Sequence, residues 1–214
     1  MSLKEQLVQM HQDINAKIPD LAAQFDADTQ SAVDKGIGTG GPTAGDAATD
    51  FELPDARGKT VRLSDRLADG PVVISFYRGG WCPYCNLELH ALQEHLPQFE
   101  QLGASLVAIS PQVPDESLNT AEKNELTFSV LSDVGNAVAR QYGLVFAVSE
   151  SLRQAYVEVG ADLPRFNGDD TFELPVPGTF VVDRDGTIIA AFVNADYKQR
   201  MEPAEIVQAL TGLQ

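Results

Sequence analysis

The sequence carries little positive charge: 15 lysines and arginines stand against 31 aspartates and glutamates, for a formal net charge of −16. A surface of this sign repels phosphate backbones and anionic lipid headgroups, so nucleic-acid and membrane-surface partners are not expected. The chain also lacks an apolar run long enough to span a bilayer, and its first residues lack the apolar stretch of a signal peptide. These absences favour a cytoplasmic protein.

Cysteine is equally scarce, because the 214 residues include only Cys82 and Cys85. Two cysteines are too few for the disulfide framework of a small secreted domain. A structural zinc site needs four ligands, and the histidines His11, His90 and His95 are not spaced to complete one with this pair. We therefore predict neither a metal nor a cofactor, and the short spacing of the cysteines becomes the most informative feature.

The N-terminal part of the chain differs in pattern from the rest. Apolar residues recur at helical spacing over residues 3–35, which predicts a pair of helices. Residues 36–45 are rich in glycine and have no apolar periodicity, which is the composition of a flexible linker. We therefore predict a helical extension with its linker at residues 1–45 and one α/β domain at residues 46–214.

The remainder alternates strand and helix patterns. β-Branched runs at 71–77 and 106–109 flank a helical pattern, and this β-α-β order predicts parallel strands. The less regular stretch 144–176 is interpreted as an insertion that covers the site. Phe166 and Trp81 are then expected either to form an apolar wall beside the dithiol or to fill the core. A hairpin and a closing helix end the pattern.

The two cysteines lie in Trp81-Cys82-Pro83-Tyr84-Cys85, directly after a predicted buried strand and before a predicted helix. At a helix start, backbone N–H groups and the helix dipole favour a thiolate, which commonly lowers a thiol pKa from about 8.5 to roughly 3.5–7.5. Arg78 precedes Cys82 and is placed to add a positive charge. Cys85, one turn later, is placed to close a disulfide with Cys82 after a sulfenic acid or mixed disulfide has formed.

Several segments resemble the AhpC/TSA peroxiredoxin-like branch of the thioredoxin superfamily, namely residues 50–59, 71–77, 81–85 and 177–183. The likeness covers residues 46–210. It implies a thioredoxin-like α/β fold with a central mixed sheet flanked by helices. To that fold this chain adds the N-terminal helical extension and an insertion before the last hairpin.

The chain departs from the family pattern around the site. Peroxiredoxins carry a proline, a threonine, the peroxidatic cysteine and a distant arginine, at positions that here resemble Arg78, Cys82, Cys85 and Pro177. Only the cysteine is retained, together with the glutamate that follows it, Glu88. Because this peroxide-binding set is incomplete, we expect slower peroxide turnover than in an enzyme with the full set.

The same segment also resembles thioredoxin. Residues 81–85 match its Trp-Cys-x-x-Cys motif, and Pro177, close to Thr179 on a predicted strand, resembles the cis-proline that faces the thioredoxin dithiol. By this analogy the bond before Pro177 is cis and Cys82 attacks first, whereas by the peroxiredoxin analogy Cys85 attacks and Cys82 resolves. The position of Cys82 at the helix start favours Cys82 as the nucleophile.

The resemblance implies a thiol-dependent antioxidant oxidoreductase that cycles Cys82 and Cys85 between dithiol and disulfide and reduces hydroperoxides or disulfides. A thiol such as thioredoxin or glutathione would restore the dithiol. The residues expected to support the two cysteines are Arg78, Trp81, Glu88, Pro177 and Thr179. The alternative is a redox-responsive binding protein whose disulfide switches a partner surface without efficient turnover, and the N-terminal helices are then candidates for homodimerisation.

Overall fold

The structure is a computed structural model that describes residues 1–213. Its helices are α1 (Leu3–Lys17), α2 (Pro19–Asp34), α3 (Leu63–Asp69), α4 (Pro83–Gln101), α5 (Pro114–Lys123), α6 (Ala137–Gln141), α7 (Glu150–Glu158), α8 (Leu163–Asn167) and α9 (Pro203–Thr211). Its strands are β1 (Glu52–Pro54), β2 (Thr60–Arg62), β3 (Val72–Phe76), β4 (Ser105–Ser110), β5 (Ser129–Ser132), β6 (Val145–Ala147), β7 (Glu173–Pro175), β8 (Gly178–Val182) and β9 (Ile188–Val193). None of these helices has the length and apolarity that crossing a membrane requires.

The central sheet has the strand order β5-β4-β3-β8-β9. β3 pairs in parallel with β4, and β4 pairs in parallel with β5, whereas β8 is antiparallel to both β3 and β9. Parallel pairing of β3 and β4 requires a long connection between them, and α4 supplies it. The predicted mixed sheet flanked by helices is confirmed.

Strand β3 lies at the centre of the sheet and is buried along its whole length. Helices cover both faces of such a strand, so its side chains enter two separate apolar layers. Val73 packs with Leu89 and Leu92 of α4 in one layer. Ile74 and Phe76 point into the other. The chain leaves this rigid strand only a few residues before the cysteine motif, which fixes where the motif begins.

Helix α1 is anchored to the rest of the chain at its first turns. Leu3 and Leu7 are buried in the same layer as α4, with 3% and 4% of their surface exposed. The N–H groups of Leu3 and Lys4 donate to the carboxylate of Glu202, at 3.3 and 2.7 Å. That carboxylate satisfies two of the donors that a helix start leaves free. Burial and hydrogen bonding together fix α1 in place.

The glycine-rich segment 36–45 lies against the sheet and its neighbouring loops. The N–H of Gly45 donates to the carbonyl of Ile188 at 2.8 Å. A side chain at Gly41 would collide with the carbonyl oxygen of Tyr142, so this close approach requires glycine. The division into an extension at residues 1–45 and a domain from residue 46 stays a prediction.

Residues 144–176 form a small unit beside the sheet. β6 and β7 pair as an antiparallel ladder, and α7 and α8 lie between them in the chain. Leu152 and Tyr156 of α7 belong to an apolar cluster against which Phe25 of α2 and Trp81 pack. The insertion therefore meets the N-terminal helices next to the cysteine motif.

Candidate active site

The two cysteines occupy the first turn of α4. Cys82 is the N-cap residue with φ −85° and ψ 116°, and Pro83 begins the helix, where its missing N–H costs nothing. Both thiols are free, and 1% of Cys82 and 0% of Cys85 is exposed. The N–H and the thiol of Cys85 both donate to the sulfur of Cys82. This arrangement leaves the sulfur of Cys82 as the acceptor of the pair.

Arg78 is a buried cation beside Cys82. It is 3% exposed, and its Nη1 lies 4.0 Å from the Cys82 sulfur. Its Nη2 donates to the hydroxyl of Tyr156, and its guanidinium lies over the ring of Tyr197 at 4.0 Å and near that of Trp81 at 5.1 Å. Within residues 1–213, Arg78 forms no ion pair with a carboxylate. The Cys82 thiolate is therefore its natural counter-ion.

The surroundings shift the two thiols in opposite directions. Burial alone would raise the pKa of Cys82, but the hydrogen bonds from Cys85 and the charges of Arg78 and Arg200 outweigh burial and lower it to about 6. Burial raises the pKa of Cys85 well above its ordinary value, and the neighbouring Cys82 adds to that effect. At neutral pH the dithiol therefore holds one thiolate, on Cys82.

A buried ion pair between Glu88 and Arg200 lies next to Cys85, and the sequence indicated only Glu88. Glu88 is 1% exposed, and its Oε2 accepts from Nε of Arg200 at 2.6 Å. Nη2 of Arg200 lies 3.4 Å from the Cys85 sulfur. Burial raises the pKa of Glu88 to about 7 despite the charge of Arg200. Arg200 was not among the predicted residues, because it precedes the closing helix in a segment without periodicity.

Thr179 lies on β8, the strand that follows Pro177. Thr179 is 2% exposed, and its hydroxyl donates to Glu88 at 3.5 Å, so it supports the ion pair. The expected cis bond before Pro177 is wrong, because no peptide bond within residues 1–213 is cis. The trans form of an X–Pro bond is favoured by about 0.5–1 kcal/mol. Here the N–H of Val176 donates to the carbonyl of Leu144 at 2.7 Å, which ties this stretch to the insertion.

A cavity of about 330 Å³ lies over Cys82, between the N-terminal helices, the cysteine motif and the insertion. Tyr156, rather than the predicted Phe166, forms the wall beside Trp81, with ring centroids 5.6 Å apart and planes at 83°. Cys85 is not among the lining residues. The residues that line the cavity are His11, Ile14, Asn15, Ile18, Ala22, Phe25, Asp26, Arg78, Trp81, Cys82, Pro83, Tyr84, Tyr156, Val159 and Tyr197.

Two of the residues that line the cavity also carry buried N–H donors without partners. Nε of Arg78 and Nε1 of Trp81 donate to no acceptor within residues 1–213. Unpaired buried donors are costly, and their presence at a site is commonly explained by a ligand or water that completes them. A thiolate beside a buried cation, at the base of a cavity, forms a site for nucleophilic attack. In the same residues, no group of three or more histidines, cysteines, aspartates and glutamates is placed to hold a metal ion.

Comparison with known sequences places these features in context. Residues 44–191 match the model of the AhpC/TSA family. Rv1608c of Mycobacterium tuberculosis strain H37Rv is 38% identical over 100 residues, and the match spans 47% of this chain and 65% of that relative. Peroxiredoxin Bcp of Escherichia coli strain K12 is 33% identical over 101 residues, which span 47% of this chain and 64% of Bcp.

A solved structure extends the likeness to the fold. Peroxidoxin BcpB from Mycobacterium tuberculosis matches with a TM-score of 0.64 and 26% identity, over 80% of this chain and 98% of that chain. Together with the mixed sheet, this likeness confirms the predicted thioredoxin-like α/β fold.

Proposed function

The chain belongs to the AhpC/TSA family, and from that premise we propose that it is a thiol peroxidase in which Cys82 and Cys85 cycle between dithiol and disulfide. One observation carries the proposal: the pKa of Cys82 is lowered to about 6 beside the buried guanidinium of Arg78, at the base of a cavity. A thiolate is the nucleophilic form of cysteine, so this sulfur is ready to react at neutral pH.

In the first step, the Cys82 thiolate attacks the terminal oxygen of a hydroperoxide. The S–O bond forms as the O–O bond breaks, which oxidises Cys82 to a sulfenic acid. The leaving oxygen takes a proton from solvent and departs as an alcohol, or as water when the substrate is hydrogen peroxide. Arg78, whose Nη1 lies 4.0 Å from the Cys82 sulfur, is placed to donate to the peroxide oxygens.

In the second step, Cys85 attacks the sulfenic sulfur of Cys82. The S–S bond forms, water leaves, and the proton of Cys85 goes to the departing oxygen. Cys85 lies one turn from Cys82 and already donates a hydrogen bond to it, so little movement is required. Two equivalents of an external thiol then reduce the disulfide and are themselves oxidised to a disulfide.

We assign the first attack to Cys82 rather than Cys85. Cys82 lines the cavity and has the lowered pKa, whereas Cys85 does not line it and has the raised pKa. Glu88 and Arg200, which lie behind Cys85, support this division because they hold the resolving side of the pair in place.

Partners and compartment follow from the same chemistry. A thiol reductant such as thioredoxin or glutathione completes the cycle. The reducing cytoplasm, where thioredoxin and glutathione keep thiols reduced, is the compartment we propose. A homodimer stays a prediction. The alternative of a redox-responsive binding protein without turnover is not favoured, because the relatives named above are peroxiredoxins and a peroxidoxin.

The proposal is tested by stopped-flow fluorescence with Trp81, the single tryptophan, as the reporter. Reduced protein mixed with hydrogen peroxide should change its fluorescence at a rate proportional to peroxide concentration. Cys82→Ser should abolish this phase. Cys85→Ser, the matched control, should retain it and accumulate the sulfenic acid.

Two other results would contradict the assignment. Loss of the fast phase in Cys85→Ser with retention in Cys82→Ser would reverse the roles of the cysteines. If the unmodified protein does not react with hydrogen peroxide or an organic hydroperoxide, while it exchanges rapidly with a disulfide substrate, it is a thiol–disulfide oxidoreductase and not a peroxidase.

A further inference from the structure

The N-terminal helices form the outer wall of the cavity over Cys82, although they precede the family-matched residues 44–191. Ile14 and Ile18 line it from the first helix and its end, and Ala22 and Phe25 line it from the second. Part of the lining of the cavity is thus supplied by a segment outside the family-matched residues.

This wall is held in place by contacts on several sides. Phe25 meets the ring of Tyr156 edge-to-face at 5.2 Å between centroids. Asp26 forms an ion pair with Lys198 at 3.1 Å. His11 lies 3.1 Å from the hydroxyl of Tyr84, the residue before Cys85 in the motif. The helix pair is therefore part of the site and not a loosely attached cap.

The size and polarity of the cavity indicate what it accommodates. A volume of 330 Å³ lies in the range of small-molecule pockets, about 300–1,000 Å³. Hydrogen peroxide, with two oxygen atoms, would occupy only a small part of it. Arg78 marks one polar end of the cavity, because its Nη1 lies 4.0 Å from the Cys82 sulfur. The rest of the lining is mainly aliphatic and aromatic, and its polar members His11 and Asp26 contact other protein groups, Tyr84 and Lys198 respectively.

We propose that the helix pair is the specificity-determining wall of the substrate pocket, selecting hydroperoxides with an uncharged apolar body over hydrogen peroxide. Ile14, Ala22 and Phe25 contact the body of the substrate, while its peroxide group lies at Cys82 and Arg78. This inference rests on the proposed peroxidase function. It predicts that changes in the wall alter turnover of a large hydroperoxide without altering turnover of the small one.

The test compares Ala22→Leu with Ala23→Leu in the full chain. Ala22 is 5% exposed and lines the cavity, whereas Ala23 is its exposed neighbour on the same helix, so the same added carbons fall inside or outside the pocket. We measure kcat/KM for cumene hydroperoxide and for hydrogen peroxide. Ala22→Leu should lower the value for cumene hydroperoxide by about ten-fold or more, as expected for several added carbons in a fitted pocket. The value for hydrogen peroxide should stay within about two-fold, and Ala23→Leu should change neither.

A second variant and a binding measurement keep the inference testable if Ala22→Leu does not fold. Ile14→Ala widens the pocket and should raise KM for cumene hydroperoxide several-fold with little change in kcat. Binding of 2-phenyl-2-propanol, the alcohol product, should quench or enhance Trp81 fluorescence in the unmodified protein and weaken in both wall variants.

The outcomes separate the inference from the function on which it rests. Equal losses for both peroxides in a folded wall variant, or no loss in either variant, would overturn the inference while peroxidase activity of the unmodified protein stands. A lack of turnover of either peroxide by the unmodified protein would refute the proposed function and the inference with it.

Discussion

Replacing Arg78 with glutamine should raise the pKa of Cys82 from about 6 to about 8. Two unit charges at the 4.0 Å that separate Nη1 from the sulfur interact by about 4 kcal/mol at an effective dielectric constant of about 20, which equals roughly 3 pKa units. Because the charge is shared among three nitrogens and only Nη1 makes this contact, we expect roughly two units. The hydrogen bonds from Cys85 and the charge of Arg200 remain in the variant.

The pKa is read from the pH dependence of Cys82 alkylation by iodoacetamide in proteins that keep Cys85, with the two cysteines distinguished by the fragment masses of the labelled peptide. At pH 7 the thiolate fraction falls from about 90% to about 10%. A more basic thiolate is also more nucleophilic, with a Brønsted coefficient of about 0.4–0.5, which offsets most of that loss. The rate at pH 7 therefore discriminates poorly, whereas the midpoint of the pH profile should move upward and the limiting rate at high pH should increase.

Two variants serve as controls for this experiment. Arg78→Lys keeps the positive charge and should keep the midpoint close to that of the unmodified site. Arg165→Gln removes an arginine whose side chain is 59% exposed and paired with Glu116, and should leave the midpoint unchanged. A midpoint that stays near 6 in Arg78→Gln would show that the helix start and Cys85 stabilise the thiolate without Arg78, and would refute the charge argument.

Two further predictions concern stability and are measured by urea unfolding. Glu88→Gln leaves Arg200 buried without its carboxylate and should lower the free energy of unfolding by about 3–5 kcal/mol. Glu173→Gln breaks an ion pair with a 54% exposed arginine and should lower it by about 1 kcal/mol or less. Similar losses in both variants would contradict the importance of the buried pair. Leu7→Ala should cost about 2–5 kcal/mol because Leu7 is 4% exposed, and Val8→Ala, at a residue 50% exposed, should cost far less. Unchanged stability in Leu7→Ala would show that the first helix does not contribute to the folded core.

Much of the fold was predictable because it depends on local patterns. The β-branched run of β3, the apolar spacing of α4 and the run of β4 fix a β-α-β unit, and the handedness and pairing of such units are constrained. The extent of the N-terminal helices also followed from apolar spacing. The short α3 and the first strand, β1, were not predicted, since they contain few residues and their place depends on contacts with distant strands.

The candidate site was predictable only where its residues are close in sequence. Cys82, Cys85 and Arg78 fall within one strand–loop–helix segment, so their proximity could be expected. Arg200 comes from the far end of the chain, and no local pattern indicates it. One signal was available: Glu88 lies on the apolar face of α4, and a buried carboxylate requires a cation.

The cis bond expected before Pro177 shows a limit of reasoning by resemblance. That expectation came from the likeness to thioredoxin, whereas the peptide bond here is trans and the neighbouring Val176 is hydrogen-bonded to Leu144 of the insertion. The wall of the cavity over Cys82 was likewise expected to come from the insertion alone. It is shared with the N-terminal helices because distant segments of the chain meet over Cys82, which periodicity does not reveal.

Within residues 1–213 Arg78 is in no ion pair with a carboxylate, and this has a consequence for the reduction potential. In the dithiol state the Cys82 thiolate neutralises this buried guanidinium, but in the disulfide state neither sulfur carries a charge. Oxidation therefore leaves a desolvated cation among three aromatic rings without a counter-ion. Selective stabilisation of the reduced form makes a disulfide a stronger oxidant. The oxidised protein should accordingly accept electrons readily, so that even weakly reducing thiols return it to the state that reacts with peroxide.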